Sequence, residues 1–153
     1  MSTTLIDLAI GDALPASDWI PVTQQAIDTF ADATGDHQWI HVDPKRCATH
    51  SPFKTTIAHG FFSASLMPKA FEGVVTSHPD IASVLNYGIN SLRFLEPVRV
   101  NDQVRYIFKV ASIEQKPTGR LYTFDCAVEI KDREKPALVG QFLMLAIIHS
   151  VSG

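Results

Sequence analysis

The spacing of apolar residues in the first third of the chain predicts one amphipathic helix over residues 22 to 34. Its apolar side chains recur at helical intervals and form one stripe: Ala26, Ile27, Phe30 and Ala33. Thr23 is a suitable N-cap, and Gly35 is the residue type that commonly ends a helix. From residue 36 to residue 56 the apolar positions keep no steady period, which indicates a long structured loop with one helical turn near residues 44 to 48.

A second apolar segment, residues 57 to 71, predicts a helix that is apolar on nearly every side. Such a helix is buried, so other elements must wrap around it. The second half of the chain alternates apolar and polar residues in four runs that are rich in β-branched and aromatic side chains and predict strands: residues 83 to 94, 103 to 113, 121 to 131 and 137 to 149. Turn-forming residues such as Asn101-Asp102 stand between these runs.

The order of these elements predicts an α+β fold in a single domain that covers residues 1 to 153. A short first strand near residues 18 to 23 precedes the helices, and the four long strands follow them. This order indicates an antiparallel sheet curled around the apolar helix. The free edge of such a sheet is usually covered, and a second copy of the chain is a natural cover in a protein this small.

Composition and charge narrow the classes of function. The formal net charge of −3 provides no basic field, so neither nucleic acid nor a membrane surface is an expected partner. The two cysteines, Cys47 and Cys126, form no CxxC pair and suggest neither a disulfide framework nor a thiolate metal site. The chain shows no basic leader and no apolar run near the roughly 20 residues of a membrane span. We therefore expect a soluble cytoplasmic protein.

The densest polar cluster lies between Gly35 and Pro44 and reads Gly-Asp-His-Gln-Trp-Ile-His-Val-Asp-Pro. It contains a possible acid and base, Asp36 and His41, but their spacing alone does not bring them together. Residues five apart point in different directions on a helix and on a strand alike. The residues by themselves leave two interpretations open. Either the loop turns so that the two side chains meet, or Asp36 ends the helix and His41 is an ordinary loop residue.

The string from Phe30 to Pro44 resembles the signature of the MaoC-like hydratases, in particular their NodN-like branch. The segments Ile57-Ala58-His59-Gly60-Phe61 and residues 87 to 98 fall where that family has its helix entry and second strand. The resemblance implies a hotdog fold, which is an antiparallel sheet wrapped around a central helix, usually as a homodimer with active sites near the subunit interface. It also implies an (R)-specific enoyl-CoA hydratase, which adds water to 2-trans-enoyl-CoA and gives (R)-3-hydroxyacyl-CoA.

The same resemblance assigns roles to three residues. The family's catalytic Asp and His fall on Asp36 and His41, which together would hold and activate one water. Such a pair can take a proton from water as its oxygen attacks C3 and supply a proton to C2. Gly60 would bind the thioester oxygen through its backbone N–H. The motif usually has Asn where this chain has Gln38, and Trp39 replaces a common Pro, but the dyad is intact.

Other residues near the cluster have simpler interpretations. Gly60 has a structural alternative, since a glycine there could serve only to fit the helix against the sheet. We expect a structural role for His59, either positioning the loop or capping the helix, and a turn role for Asp43. His41 and Asp43 lack further ligands at a recognised spacing, so no metal is expected. No cofactor is expected apart from the coenzyme A that the substrate carries.

Two other functions remain open for a hotdog domain of this kind. One is an acyl-CoA thioesterase, in which Asp36 would activate water toward the carbonyl carbon instead of C3. The other is a non-catalytic acyl-thioester-binding protein, or a subunit that only dimerises with an active relative. In each case the expected partner is a small-molecule acyl-CoA thioester, and a fold match alone does not prove activity.

Overall fold

The computed structural model describes residues 3 to 149. The ends of the predicted domain, residues 1 to 2 and 150 to 153, lie outside this described range. In chain order the elements are a 3₁₀ turn (Leu5–Asp7), β1 (Ile20–Pro21), α1 (Gln24–Thr34), α2 (Trp39–Val42), α3 (Pro44–His50), α4 (Gly60–Ser65), α5 (Met67–Glu72), β2 (Ile81–Phe94), β3 (Gln103–Lys116), β4 (Gly119–Ile130) and β5 (Leu138–Ile148). Each of the four long strands lies within three residues of its predicted bounds.

All five strands form one antiparallel sheet in the order β1-β3-β4-β5-β2. Strands β3, β4 and β5 follow one another as neighbours, whereas β2 pairs with β5 at the far edge. Register shifts interrupt the ladders, as between Val110 and Ser112 on β3 and between Asn86 and Gly88 on β2. Shifts of this kind bend a strand and increase its twist, which helps the sheet to curl. The predicted α+β hotdog architecture is confirmed.

Helices α4 and α5 pack against the inner face of the curled sheet. The ring centroid of Phe71 on α5 lies 5.4 Å from that of Phe108 on β3 and 5.0 Å from that of Phe124 on β4. The Tyr106 hydroxyl of β3 donates to the carbonyl of Ser63 on α4. Alternate residues of β4 from Tyr122 to Ile130 are buried, as expected for a strand with one face on the core.

The central helix differs from the prediction in two ways. Residues 57 to 71 form two short helices rather than one, because Pro68 lacks the N–H that a continuous helix needs at that position. Residues before Gly60 are not helical, since the Ala58 N–H donates to the Val98 carbonyl at 2.8 Å and pairs this segment with the chain beyond β2. The expected burial on nearly all sides is also wrong for Phe61, which is 65% exposed.

The predicted start and end of helix α1 are confirmed. The Thr23 hydroxyl accepts the Ala26 N–H at 3.1 Å, and Gly35 ends the helix in the left-handed conformation with φ of 81°. The following loop holds two short helices where one turn was expected. Asp43 begins the second of them by accepting the Arg46 N–H at 3.0 Å, so it is a helix N-cap rather than the expected turn residue. Among residues 3 to 149, no helix is long and apolar enough to cross a membrane.

Strand β2 forms an exposed edge of the sheet. No strand from residues 3 to 149 pairs with the side of β2 that faces away from β5, and most residues of β2 are exposed. Several large apolar side chains along it are 41% to 55% exposed: Val84, Leu85, Tyr87 and Ile89. An apolar edge strand of this length is a template for pairing with another strand.

Candidate active site

A cavity of about 280 Å³ lies where the N-terminus of α4 meets α2 and the end of β2; we call it the α4 cavity. Two of the predicted site residues line it, together with residues from the chain around β2 and before β5: His41, Ile57, Ala58, His59, Gly60, Ser63, Phe94, Leu95, Glu96, Pro97, Val98 and Ala137. A larger cavity of about 710 Å³ lies between α5 and the start of β2, but it contains none of the predicted site residues. We therefore place the chemistry at the α4 cavity.

His41 lies on α2 and is 6% exposed. Its Nδ1 is 2.7 Å from the carbonyl oxygen of Ile57. Since a carbonyl oxygen can only accept, Nδ1 carries the proton and Nε2 keeps a free lone pair. Burial lowers the pKa of His41 below its ordinary value of 6.5, and the nearby His59 lowers it further, against the raising effects of the Ile57 bond and of Asp36. The arrangement suits a neutral base.

Asp36 follows the helix-ending Gly35 in the loop between α1 and α2. Its carboxylate is 54% exposed and accepts the Gln38 N–H at 3.3 Å. The structure brings it close to His41 after all, because the left-handed Gly35 and the short helix α2 turn the chain between them. Asp36, His41 and His59 each place one nitrogen or oxygen atom within 4.8 Å of the others.

This spacing suits one shared water. Two hydrogen bonds of about 2.8 Å from a tetrahedral oxygen end on atoms about 4.6 Å apart. A water between the Asp36 carboxylate and His41 Nε2 can therefore donate one hydrogen to each. The same three side chains of the described chain could also hold a metal ion. The expectation of no metal, which considered His41 with Asp43, therefore stays a prediction.

Gly60 is the first residue of α4, so its N–H has no partner within the helix. No backbone hydrogen bond from it to another element is present among residues 3 to 149. A Cβ atom at this position would lie 2.9 Å from three ring atoms of Phe94. The close fit supports the structural interpretation of Gly60, while the free N–H is compatible with the functional one. The role of Gly60 in binding stays a prediction.

His59 contributes more to the site than the sequence indicated. It is 4% exposed, and its ring stacks on His41 with centroids 3.8 Å apart and planes 24° from parallel. Its Nε2 is 2.9 Å from the carbonyl oxygen of Asp36. The side chain makes no capping bond to α4, so the expected capping role is wrong, and its contact with the Asp36 loop is compatible with the other expected role, positioning of that loop. No sequence signal indicated this contact, because it joins residues 23 positions apart.

The two departures from the family motif leave the dyad in place. Gln38 bonds Asp36 through its backbone N–H, which any residue except proline would supply. Its side chain makes no capping bond to α2. The guanidinium of Arg46 on α3 lies 4.2 Å above the ring centroid of Trp39 on α2. This cation–π contact joins the two helices. The changes therefore affect the outer side of the loop.

Comparison with known proteins agrees with this geometry. The family model described as "MaoC like domain" matches residues 7 to 127. The chain is 41% identical over 137 residues to the 3-hydroxyacyl-thioester dehydratase Z of Mycobacterium tuberculosis, covering 89% of each chain. It is 41% identical over 138 residues to the nodulation protein N of Rhizobium leguminosarum bv. viciae, covering 89% of this chain and 85% of that protein.

Solved structures show the same fold. An R-hydratase of Pseudomonas aeruginosa superposes with a TM-score of 0.77 at 24% identity, covering 97% of this chain and 88% of that one. The (R)-hydratase of A. caviae involved in PHA biosynthesis gives a TM-score of 0.72 at 22% identity, covering 92% and 98%. The long match to the family model and the identity to its named relatives extend the likeness from fold to family. The chain therefore belongs to the MaoC-like dehydratases and is a hydro-lyase of the hydratase and dehydratase type.

Proposed function

We propose that the protein is an (R)-specific enoyl-CoA hydratase, which adds water reversibly to 2-trans-enoyl-CoA and gives (R)-3-hydroxyacyl-CoA. The observation that carries the proposal is the proximity of Asp36 to His41, which lines the α4 cavity and offers its Nε2 as base. The relative named 3-hydroxyacyl-thioester dehydratase bears the name of the reverse reaction. The family resemblance supports the (R) configuration. No cofactor takes part beyond the coenzyme A of the substrate.

The reaction uses one water between the two side chains. His41 Nε2 accepts a proton from this water as the water oxygen bonds to C3, while the second hydrogen points to the Asp36 carboxylate. The electron pair of the C2=C3 bond moves toward the thioester carbonyl, and C2 then takes a proton from the dyad. The product carries OH on C3 and H on C2, and both side chains return to their starting protonation states.

The negative charge that develops on the thioester oxygen needs a donor. The Gly60 N–H lines the same cavity as His41 and has no partner within its helix. A single positioned donor of this kind typically contributes about 2.7 to 4 kcal/mol to the transition state. A hydrogen bond from Gly60 to the thioester oxygen would stabilise the charge that develops there, and would thereby make C3 more open to attack by water.

We also propose that the protein acts as a homodimer through the β2 edge. The strand is 14 residues long, its outer backbone groups have no partner strand in the described part of the chain, and several of its apolar side chains are exposed. A β2 strand from a second copy would satisfy both needs at once. Phe94, which lines the α4 cavity, ends this strand, so the dimer would lie close to the site.

Purified protein incubated with crotonyl-CoA and with longer 2-enoyl-CoAs tests the function directly. We expect loss of enoyl absorbance, no release of free thiol, and an (R)-3-hydroxyacyl product on chiral analysis. Release of thiol would instead indicate the thioesterase, and binding without either change would indicate the non-catalytic acyl-thioester-binding protein. An (S) product would contradict the proposed stereochemistry.

A further inference from the structure

We propose that His59 is a positioning residue, which holds Asp36 at the distance from His41 that one shared water requires. The inference rests on the proposed function, since it assigns a task within the same site. Three observations carry it: the bond from the His59 ring to the Asp36 backbone, the stacking of His59 on His41, and a buried nitrogen on the same ring without a partner among the described residues.

Asp36 is otherwise weakly held. Its N–H reaches the Thr34 hydroxyl at 3.4 Å, and its carboxylate accepts the Gln38 N–H at 3.3 Å. Thr34 is the last residue of α1 and Gln38 follows Asp36 in the exposed loop, so both partners are two residues away in sequence and neither ties the turn to α4. The bond from His59 to the Asp36 carbonyl is shorter, at 2.9 Å, and comes from a buried side chain. It is therefore the contact that anchors the turn to the start of α4.

The bond identifies the donor atom of His59. The carbonyl oxygen only accepts, so His59 Nε2 donates its N–H to Asp36. The other ring nitrogen, Nδ1, is buried and has no hydrogen-bond partner among the described residues. A phenylalanine would fill the same space between Phe30 and His41 without leaving a buried polar nitrogen unpaired. Packing alone therefore does not explain a histidine here, whereas the need for an N–H donor to Asp36 does.

His59 acts through Asp36 and does not itself take part in the proton transfer. The two hydrogens of the shared water point to Asp36 and His41, and the Nε2–H of His59 is already bonded to the Asp36 backbone. The stacked ring also limits the tilt of His41. One side chain thus sets the geometry of both members of the dyad.

Three substitutions separate positioning from packing. His59→Phe keeps the ring but removes the donor, His59→Gln places an amide N–H near the former Nε2, and His59→Asn places it near the former Nδ1. We expect His59→Phe and His59→Asn to lower kcat by about 10²-fold, the usual loss for a misplaced reacting group, with KM little changed. His59→Gln should recover most of kcat. The Tm of His59→Phe should not fall below that of wild type.

A double variant shows whether the effect passes through the carboxylate. In the Asp36→Asn background there is no carboxylate left to position, so adding His59→Phe should lower kcat less than about 3-fold further. A full additional loss would mean that His59 acts independently of Asp36 and would overturn the inference. A His59→Phe protein with wild-type kcat would overturn it as well.

A measurement without substrate keeps this inference separate from the proposed function. If the wild type hydrates no 2-enoyl thioester, the proposed function fails, but backbone ¹⁵N relaxation still reports the order of the Asp36 turn. We expect lower order parameters for residues 36 to 38 in His59→Phe and His59→Asn than in wild type and His59→Gln. Equal order parameters in all four proteins would overturn the positioning role, whatever the substrate.

Discussion

The two interpretations of Gly60 can be separated by changing Phe94 first. A Cβ at position 60 would lie 2.9 Å from three atoms of the Phe94 ring, whereas carbon atoms pack best at about 3.5 to 4.0 Å. Gly60→Ala should therefore force the ring to shift and cost about 1 to 3 kcal/mol in stability, as overpacking usually does. For a chain of 153 residues this corresponds to a fall in Tm of about 2 to 12 °C, measured by thermal unfolding.

Phe94→Ala should remove this clash. The ring is 46% exposed, so its loss should cost less than the truncation of a fully buried phenylalanine. In the Phe94→Ala background, the ring atoms nearest to a Cβ at position 60 are removed for both Gly60→Ala and Gly60→Pro, and proline is tolerated at the first position of a helix. The preceding His59 has φ of −59° and ψ of 141°, a conformation that a following proline permits. The two double variants then differ chiefly in the N–H at position 60.

The assay is the rate of crotonyl-CoA hydration by these two double variants. If the Gly60 N–H binds the thioester oxygen, the proline variant should show a kcat about 10² to 10³-fold below that of the alanine variant. Circular dichroism should show that both are folded. Equal kcat values in the two folded proteins would refute the donor role and leave the fit against Phe94 as the reason for the glycine.

Three further predictions concern the dyad and the edge strand. Asp36→Asn and His41→Gln should each lower kcat by about 10² to 10⁴-fold, and the double variant should be little worse than the poorer single one, because both act on one water; steady-state kinetics checks this. Since burial lowers the pKa of His41 and its neutral form is the base, kcat/KM should fall with a midpoint below pH 6.5. The stability that depends on neutral His41 should likewise be lost as the pH falls below 6.5. A pH profile with its midpoint above 6.5 contradicts this. Light scattering should give about twice 16.9 kDa, and Ile89→Lys on β2 should shift the mass toward the monomer; an active wild-type monomer would refute the dimer.

The strands and helix α1 could be predicted because their signals are local. Thr23 and Gly35 cap α1 through bonds that span three or four residues, and the alternation along β4 follows directly from the burial of one face. The apolar run of residues 57 to 71 predicts one helix, but hydrophobicity does not reflect the backbone N–H that Pro68 lacks, and the helix breaks there. The exposure of Phe61 could not be predicted from hydrophobicity. It depends on how much of the side chain is covered by strand β2, which contacts it through Phe94 but is distant in sequence.

The site was predictable only in part, and mostly through family resemblance. Spacing alone did not pair Asp36 with His41, because their meeting depends on a left-handed glycine followed by a four-residue helix. The contact of His59 with Asp36 and the fit of Phe94 over Gly60 join residues 23 and 34 positions apart. Contacts between residues so far apart in sequence depend on the complete fold, so no local sequence pattern predicts them.

The placement of β2 beside β5 has a consequence for synthesis on the ribosome. Ile81 pairs with Ile148, so the start of β2 must wait for a partner that is made 67 positions later. At about 5 to 20 residues per second this delay lasts about 3 to 13 s, during which the apolar strand has no strand beside it. Nascent chains are therefore most exposed to aggregation in this interval, and chains that stop before residue 138 should engage chaperones rather than fold.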